Sequence, residues 1–499
     1  MSSAPSLLVS TPTAPPIEAE GAQLRRILLN GASLLGAYVL PRGLTFVAAL
    51  TAARVLGPAQ FGAYSTATSF AMILSIFATL GMLPLLVREL GRRPERTADL
   101  LGAAHLIKAA ASIVMLIVLG LSAHFLLHYP PTIVAAALLL GIGHAFISFA
   151  ENLGAWFQAH ERMNVWLEAN VVFGIVTGGL GLLLVLWTRN LLWFCVAFAI
   201  GQGAELAWLM RRMPGMQTRP AHARLLQART LIRQAMPFAV AFFALTVFYK
   251  FDVLLLQRLQ STHVVGVYAA GYKLVDIVHA LAVVAAAALY PRLSRMLSSN
   301  ERAPASGRSL ELFLLAGVLG AGMLWLMRQP LTAWLFGDAY AGTADVLGLL
   351  APALIALVLN ILAGYLLSAA DRIAWLALAY TAAGLLKLGL GLWWIPQYGA
   401  VGMAAAKLVA ECVLACGLLA VLAFFKSGSL TMRTTVLAGA ALLAAFAVNQ
   451  LTGNLGAFAA TLGYLFVVAC IYALGGALSR AEVRAFKQAV SPALRGAGS

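Results

Sequence analysis

Charge is scarce in this chain of 499 residues: 10% of positions are Asp, Glu, Lys or Arg, against roughly 25% in a soluble domain. Acids are scarcer than bases, 18 against 34, which leaves a net charge of +16. The four cysteines, Cys195, Cys412, Cys416 and Cys470, lie in apolar segments with no Cys-x-x-Cys pair and no histidine at ligand spacing. That pattern points to inert thiols and implies neither a metal centre nor a disulfide framework. No His-Glu-x-x-His, Gly-x-Ser-x-Gly or P-loop motif occurs, so the starting residues of those hydrolytic chemistries are missing and the expectation is a non-enzyme. The N-terminus also lacks the basic-then-apolar order of a secretory signal. Residues 1–24, rich in Ser, Pro and Ala, are expected to form a disordered tail.

Apolar residues make up 62% of the chain and are grouped into runs. A membrane-crossing helix takes about 20 of them. Such runs, separated by polar, Gly or Pro breaks, fall at about 27–52, 62–87, 100–127, 131–156, 164–187, 190–210, 231–257, 264–290, 309–328, 346–369, 373–394, 400–425, 433–451 and 456–478. The expected fold is an all-α integral membrane bundle of about fourteen transmembrane helices. The basic residues check that number. With the N-terminus in the cytoplasm, 24 of the 34 Lys and Arg fall in cytoplasmic segments, and only Arg54, Arg189, Arg258 and Arg328 fall in segments on the other side. The positive-inside rule requires such an imbalance, and an even number of crossings puts both termini in the cytoplasm. Most of the basic excess is thus a topology signal, with attraction to anionic membrane lipids at the inner surface and no nucleic-acid partner.

Six cations remain, Arg42, Lys108, Lys250, Lys273, Lys387 and Lys407, all inside predicted crossings. A charge near the centre of a transmembrane helix costs about 2.5–3.5 kcal/mol on insertion scales, so such residues normally face a bundle interior, a wet cavity or a partner. Counted along the helices, Arg42 and Lys387 come near the midplane and Lys250, Lys273 and Lys407 into the outer half, whereas Lys108 is close enough to the inner surface to snorkel. The first five, from five helices, suggest one positively charged cavity and an anionic substrate. The competing reading is local neutralisation. Lys273 and Asp276 are three apart and Lys407 and Glu411 four apart, so each pair can meet on one helix face. Lys250 and Asp252 point to different faces, and Arg42 and Lys387 have no acid nearby in sequence. Asp252, Asp276, Glu205 and Glu411 are candidates for carrying a coupling proton or sodium ion; no cofactor is implied. Aromatics in the spans, Trp156, Trp166, Tyr249, Tyr272 and Tyr380, are candidates for stacking on a sugar, with packing or interface anchoring as the alternative.

The chain also resembles itself. Arg54, Gly62 and Tyr64 after span 1 recur as Arg258, Gly266 and Tyr268 after span 7, at one constant offset. Six crossings separate the copies, so they keep the same orientation, as in parallel repeats related by an axis along the membrane normal. The expected organisation is a cytoplasmic tail 1–24, a six-helix lobe 25–210, a cytoplasmic linker 211–230, a second six-helix lobe 231–425, two extra helices 426–480 and a cytoplasmic tail 481–499.

Two motifs carry a likeness to a known family. Ala53-Arg54-Val55-Leu56-Gly57-Pro58-Ala59-Gln60-Phe61-Gly62-Ala63-Tyr64 resembles the first outer loop of bacterial polysaccharide-transport proteins. Ile395-Pro396-Gln397-Tyr398-Gly399-Ala400-Val401-Gly402 resembles the turn between their spans 11 and 12. These proteins are oligosaccharide flippases of the multidrug/oligosaccharidyl-lipid/polysaccharide flippase superfamily. The resemblance implies two six-helix lobes around a central cavity in the bacterial inner membrane, alternating access, and transfer of an undecaprenyl diphosphate-linked oligosaccharide from the cytoplasmic to the periplasmic leaflet. It also implies cationic side chains in the cavity, for which Arg42, Lys250, Lys273, Lys387 and Lys407 are the candidates by position. A polymerase or ligase of the same pathway would be a partner, and exopolysaccharide, capsule or O-antigen the end product. Rival functions are flipping of the peptidoglycan lipid precursor, export of cationic drugs by an antiporter of the same superfamily, and a membrane polysaccharide polymerase or ligase. The antiporter would want an acid-dominated cavity. The polymerase or ligase would want a large outer loop, and the longest outer segment, about 329–345, holds only Asp338 and Asp345 as ionisable groups.

Overall fold

A computed structural model describes residues 17–213, 221–298, 304–370, 372–425, 432–452 and 456–474; no strand occurs among them. In chain order the helices are α1 (Ile17–Thr79), α2 (Leu83–Arg92), α3 (Thr97–Leu121), α4 (Pro131–Ala159), α5 (Met163–Thr188), α6 (Leu191–Arg212), α7 (Ala221–Leu259), α8 (Thr262–Ser298), α9 (Pro304–Leu326), α10 (Arg328–Phe336), α11 (Thr343–Ala369), α12 (Ile373–Phe424), α13 (Met432–Thr452) and α14 (Ala457–Leu474). Ten described helices are long and apolar enough to cross a membrane, and Thr435–Gln450 and Ala457–Tyr472 are shorter apolar helices. The chain is a multi-pass membrane protein. Helix α1 begins at Ile17, so residues 17–24, expected to belong to a disordered tail, are helical; residues 1–16 and the expected tail 481–499 lie outside the described residues.

Two of the ten, Pro41–Arg92, which joins most of α1 to α2 through the turn at 80–82, and Ile373–Phe424, are 52 residues long. Straight, each would measure about 78 Å at 1.5 Å per residue, more than twice a hydrocarbon core of about 30 Å. Neither is straight. Gly57 (φ 73°, ψ 170°) and Gly399 (φ 55°, ψ −127°) leave the helical region. Glycine enters positive φ without steric cost, and the neighbouring Pro58 and Pro396 each lack a backbone donor. The two motifs of the sequence are therefore the two breaks. Other boundaries follow equally local rules. Pro131 occupies the first turn of α4, where its missing N–H is no loss, and the Asn190 side chain caps α6 by accepting from the Leu192 N–H at 2.8 Å.

Helix α1 packs on α4 and α5 and, across the molecule, on α7 and α8. Just beyond the Gly57 break, α1 and α8 approach so closely that a Cβ on Gly62 would overlap the Thr262 carbonyl oxygen, and one on Gly266 the Pro58 carbonyl oxygen. Positions 58 and 62 correspond to 262 and 266 in the sequence repeat, so the contact is reciprocal, as at a two-fold axis. Arg54 and Arg258 repeat the pattern. The Arg54 guanidinium donates to the Trp334 carbonyl at 2.9 Å, beside a 2.6 Å bond from the Tyr340 hydroxyl to the Ala53 carbonyl. Burial pushes the Tyr340 phenol up, which keeps it a donor. Arg258 in turn acts on Tyr129, lowering a hydroxyl that burial pushes up to about 12. Arg54 thus reaches the opposite half of the chain, beside the close glycine crossing of α1 and α8. Away from it, Leu86, Leu101, Phe157 and Leu209 form a core with Leu231 of α7, while most buried residues of α7–α14 belong to a separate core.

Candidate functional site

Between α1, α7 and α8 lies a small pocket of about 50 Å³. Helix α1 brings Tyr64, Ser65, Thr68 and Ser69, α7 brings Tyr249, Lys250 and Asp252, and α8 brings Tyr272, Lys273 and Asp276. Ser65, Thr68 and Ser69 share a face because they are three and four residues apart. The Ser65 and Thr68 hydroxyls donate to the carbonyls of Phe61 and Tyr64, both at 2.8 Å, so their remaining lone pairs can accept from a ligand. One wall of the pocket is thus hydroxyl-bearing and the opposite walls are aromatic and charged.

The charges divide into paired and unpaired. Lys273 lies 3.6 Å from Asp276, the pair expected from their spacing. Behind them is a quartet with almost no access to solvent: Asp252 (1% exposed), Lys387 (3%), Lys407 (1%) and Glu411 (0%). The Lys407 ammonium is 3.4 Å from Glu411 and 3.8 Å from Asp252, and stands over the ring of Tyr272 at 4.8 Å. Lys387 lies 4.0 Å from Asp252 and donates to the Phe248 carbonyl. The Tyr268 hydroxyl donates to Asp252 at 2.8 Å, and the Asn360 amide to Glu411 at 2.8 Å. Burying an ion is tolerable only when opposite charge and hydrogen bonds replace the lost water, and here two acids balance two lysines. Lys250 is different. Among the described residues no carboxylate lies within ion-pair distance of it, and its ammonium stands 5.5 Å over the ring of Tyr272, a cation–π contact that still leaves its charge unbalanced. Lys250, Lys273, Lys387 and Lys407 set against Asp252, Asp276 and Glu411 leave one positive charge in excess, and Lys250 carries it.

The structure therefore brings Lys250, Lys273, Lys387, Lys407, Asp252, Asp276 and Glu411 together and leaves two expected residues elsewhere. Arg42 is exposed on α1 and does not line the pocket. Glu205 is buried on α6. Lys108, expected to snorkel, does not: it is fully buried, donating to the Ser148 carbonyl at 2.7 Å and to Glu151 at 3.0 Å, because a carboxylate on α4 is nearer than water. Of the aromatics, Tyr249 and Tyr272 line the pocket, Tyr380 packs on Phe248 at 5.3 Å, Trp156 stacks on His160 at 4.2 Å and Trp166 lies against Gly154. Sequence reasoning missed Asn360, Tyr268 and the serine–threonine wall. Only Tyr268 had left a signal, as the repeat partner of Tyr64. No group of His, Cys, Asp and Glu suited to a metal ion occurs among the described residues.

Comparison with known proteins follows the same lines. A family profile described as polysaccharide biosynthesis protein matches residues 27–297, more than half of the chain. No curated protein matches. Among solved structures, a lipid II flippase MurJ in an inward closed conformation superposes with a TM-score of 0.68 at 13% identity, over 89% of this chain and 98% of its own. An inward-facing multidrug resistance MATE family transporter of the MOP superfamily gives 0.63 at 14% identity, over 79% and 98%. The Vibrio cholerae MATE transporter VcmN in its bent form gives 0.55 at 15% identity, over 82% and 98%. At these identities the likeness is one of fold. The profile match shows the family: the chain belongs to the polysaccharide biosynthesis proteins, on the helical fold of the MurJ and MATE transporters.

Proposed function

We propose that this protein is a flippase that moves an undecaprenyl diphosphate-linked oligosaccharide from the cytoplasmic to the periplasmic leaflet of the bacterial inner membrane, for exopolysaccharide, capsule or O-antigen synthesis. The observation that carries the reading is the unbalanced Lys250 in a pocket between the two halves of the chain. A lipid diphosphate carries about two negative charges, which cannot enter hydrocarbon unpaired. Lys250, with Lys273 beside it, supplies attraction at the point where α1 meets α7 and α8, and Ser65, Thr68 and Ser69 bring hydroxyls to the lining of the same pocket. The polyprenyl tail stays in the lipid.

The fourteen-crossing topology belongs to the same proposal. It counts the two 52-residue segments as two crossings each, broken at Gly57 and Gly399, and adds α13 and α14, with both termini cytoplasmic. Lobes 25–210 and 231–425 then rock about the reciprocal Gly62–Gly266 crossing. In this scheme Lys387 and Lys407 hold Asp252 in the pocket's wall, and Arg42, exposed on α1, lies outside the pocket.

In a strain lacking the chromosomal copy, Lys250→Ala is expected to abolish polymer export with protein still present in the membrane, and Lys250→Arg to retain much of it. Export at wild-type level by Lys250→Ala would remove the proposal's support. The MurJ likeness makes the peptidoglycan precursor a second reading, and rescue of a strain depleted of its own lipid II flippase would select it over the first.

A further inference from the structure

A second polar pocket lies against the Gly62–Gly266 crossing, and it is the larger of the two. Its volume is about 430 Å³, within the range of about 300–1,000 Å³ usual for small-molecule sites. The pocket at Lys250 measures about 50 Å³, room for a few water molecules in this state. The larger pocket is lined from both halves of the chain. Helix α1 brings Gln60, the start of α4 brings Thr132, the turn between α5 and α6 brings Thr188, Arg189 and Asn190, and the start of α8 brings Thr262. Three helices begin and one ends at this level, which is why hydroxyl and amide side chains collect here. Thr262 belongs to the crossing itself, since its carbonyl oxygen is the atom that a Cβ on Gly62 would overlap.

The polar groups of this pocket are available to a ligand. Gln60, Thr132, Arg189 and Asn190 are exposed, and among the described residues the side chains of Gln60, Thr132 and Arg189 make no hydrogen bond or ion pair. Asn190 spends its side-chain oxygen on the Leu192 N–H, which leaves its NH2 group to donate. The Thr262 hydroxyl accepts from the Gln257 amide at 3.2 Å, so its own proton is free, and Gln257 is held in turn by the Thr66 hydroxyl at 3.1 Å. Thr188 donates to the Leu184 carbonyl at 2.7 Å and keeps a lone pair to accept. Arg189 lies in the left-handed region (φ 48°, ψ 34°) at the end of α5, a position that usually takes glycine, and here it carries a guanidinium. The set is one guanidinium fork, two amides and three hydroxyls, with no carboxylate in the lining. A diphosphate calls for more than one cation, whereas a saccharide offers many hydroxyls that both donate and accept, and the fork can bridge two neighbouring oxygens.

We propose that this pocket is a saccharide-binding site that receives the sugar portion of the transported lipid on the outer side of the bundle, with Arg189 bridging two sugar oxygens and Gln60, Thr132 and Asn190 bonding others. It rests on the flippase reading for the identity of the sugar and its direction of travel, but not for saccharide binding itself. Arg189 belongs to the few basic residues that the positive-inside count places on the outer side. From Ser69 in the Lys250 pocket to Gln60 in this one is about 14 Å along α1, a length of a few sugar rings. Once the Gly62–Gly266 contact parts, one oligosaccharide can engage Arg189 while its diphosphate is still at Lys250, which favours outward passage over return.

The test uses full-length protein in phosphatidylcholine nanodiscs, titrated with the free repeat-unit oligosaccharide released by partial hydrolysis from the polysaccharide of the wild-type strain, with binding read by saturation-transfer NMR. Saturable binding is expected in the wild type. Arg189→Gly should weaken it roughly ten-fold or more, as expected for lost hydrogen bonds to a charged group, and Thr132→Val about three-fold. Glycine suits the left-handed backbone at this position, so Arg189→Gly is expected to fold, and an unchanged unfolding midpoint checks it. Equal affinity in the wild type and Arg189→Gly, or no saturable binding in the wild type, overturns the proposal. Displacement of the oligosaccharide by inorganic phosphate, or loss of its binding when phosphatidylglycerol replaces phosphatidylcholine, overturns it in favour of a lipid-headgroup site. The two readings fail separately. If no saccharide binds, an export defect in Lys250→Ala still supports the flippase; if Lys250→Ala exports normally, saccharide binding lost in Arg189→Gly still supports the outer site.

Discussion

The two halves of this molecule bury ionisable residues in opposite ways. Around α7, α8, α11 and α12, four lysines meet three carboxylates, and every acid has an ammonium within 4.0 Å. In the first half Lys108 of α3 pairs with Glu151 of α4, and Glu205 of α6 makes no ion pair among the described residues. The residual charge is positive in the first cluster, at Lys250, and negative in the second, at Glu205. Counting charge in spans is therefore less informative than finding which charge has no partner. Lys387, Lys407, Asp252 and Glu411 are all 3% exposed or less, and they neutralise one another. The difference separates groups that hold the architecture from groups free to meet a ligand.

Substitutions can break that comparison. The largest effect is expected in the balanced quartet. Asp252→Asn removes the acid that two lysines share, and leaving an uncompensated buried charge costs about 3–5 kcal/mol; thermal unfolding in detergent should show this as a large drop in midpoint. Asn360→Ala keeps the charges but removes the 2.8 Å hydrogen bond to Glu411. It should cost about 1–3 kcal/mol, the penalty of an unsatisfied buried acceptor. The smallest effect is expected for Glu205→Gln, since among the described residues this side chain has no ion pair or hydrogen bond to lose, and less than about 1 kcal/mol should separate it from the wild type. If Glu205→Gln is as damaging as Asp252→Asn, Glu205 is paired like the rest and the contrast between the halves collapses.

Much of this arrangement was legible before any coordinates. Apolar runs locate the helices because length and hydropathy are local properties. Gly57 and Gly399 were already inside the two motifs, and a glycine next to a proline is a break that backbone sterics alone predict. The pairs Lys273–Asp276 and Lys407–Glu411 were visible because residues three and four apart share a helix face. The reciprocal contact at Gly62 and Gly266 could be suspected from the repeat. What sequence could not show is pairing between helices. Lys387 has no acid near it along the chain, yet it meets Asp252 of α7, and Lys108 meets Glu151 of α4 instead of reaching for the surface. Arg42, by depth a member of the cavity, is exposed on α1, because depth along a helix says nothing about which way the residue faces.

The central claim is that the unbalanced charge of Lys250 holds the diphosphate. Its most direct test is equilibrium binding of undecaprenyl diphosphate to purified protein in nanodiscs, compared for the wild type, Lys250→Arg and Lys250→Ala at two salt concentrations. A lost contact between an ammonium and a phosphate, about 1.5–3 kcal/mol for a charged hydrogen bond, predicts affinity reduced by roughly ten- to a hundred-fold in Lys250→Ala, with a shallower salt dependence, and near-normal binding in Lys250→Arg. Equal affinity and equal salt dependence in all three proteins would contradict the account.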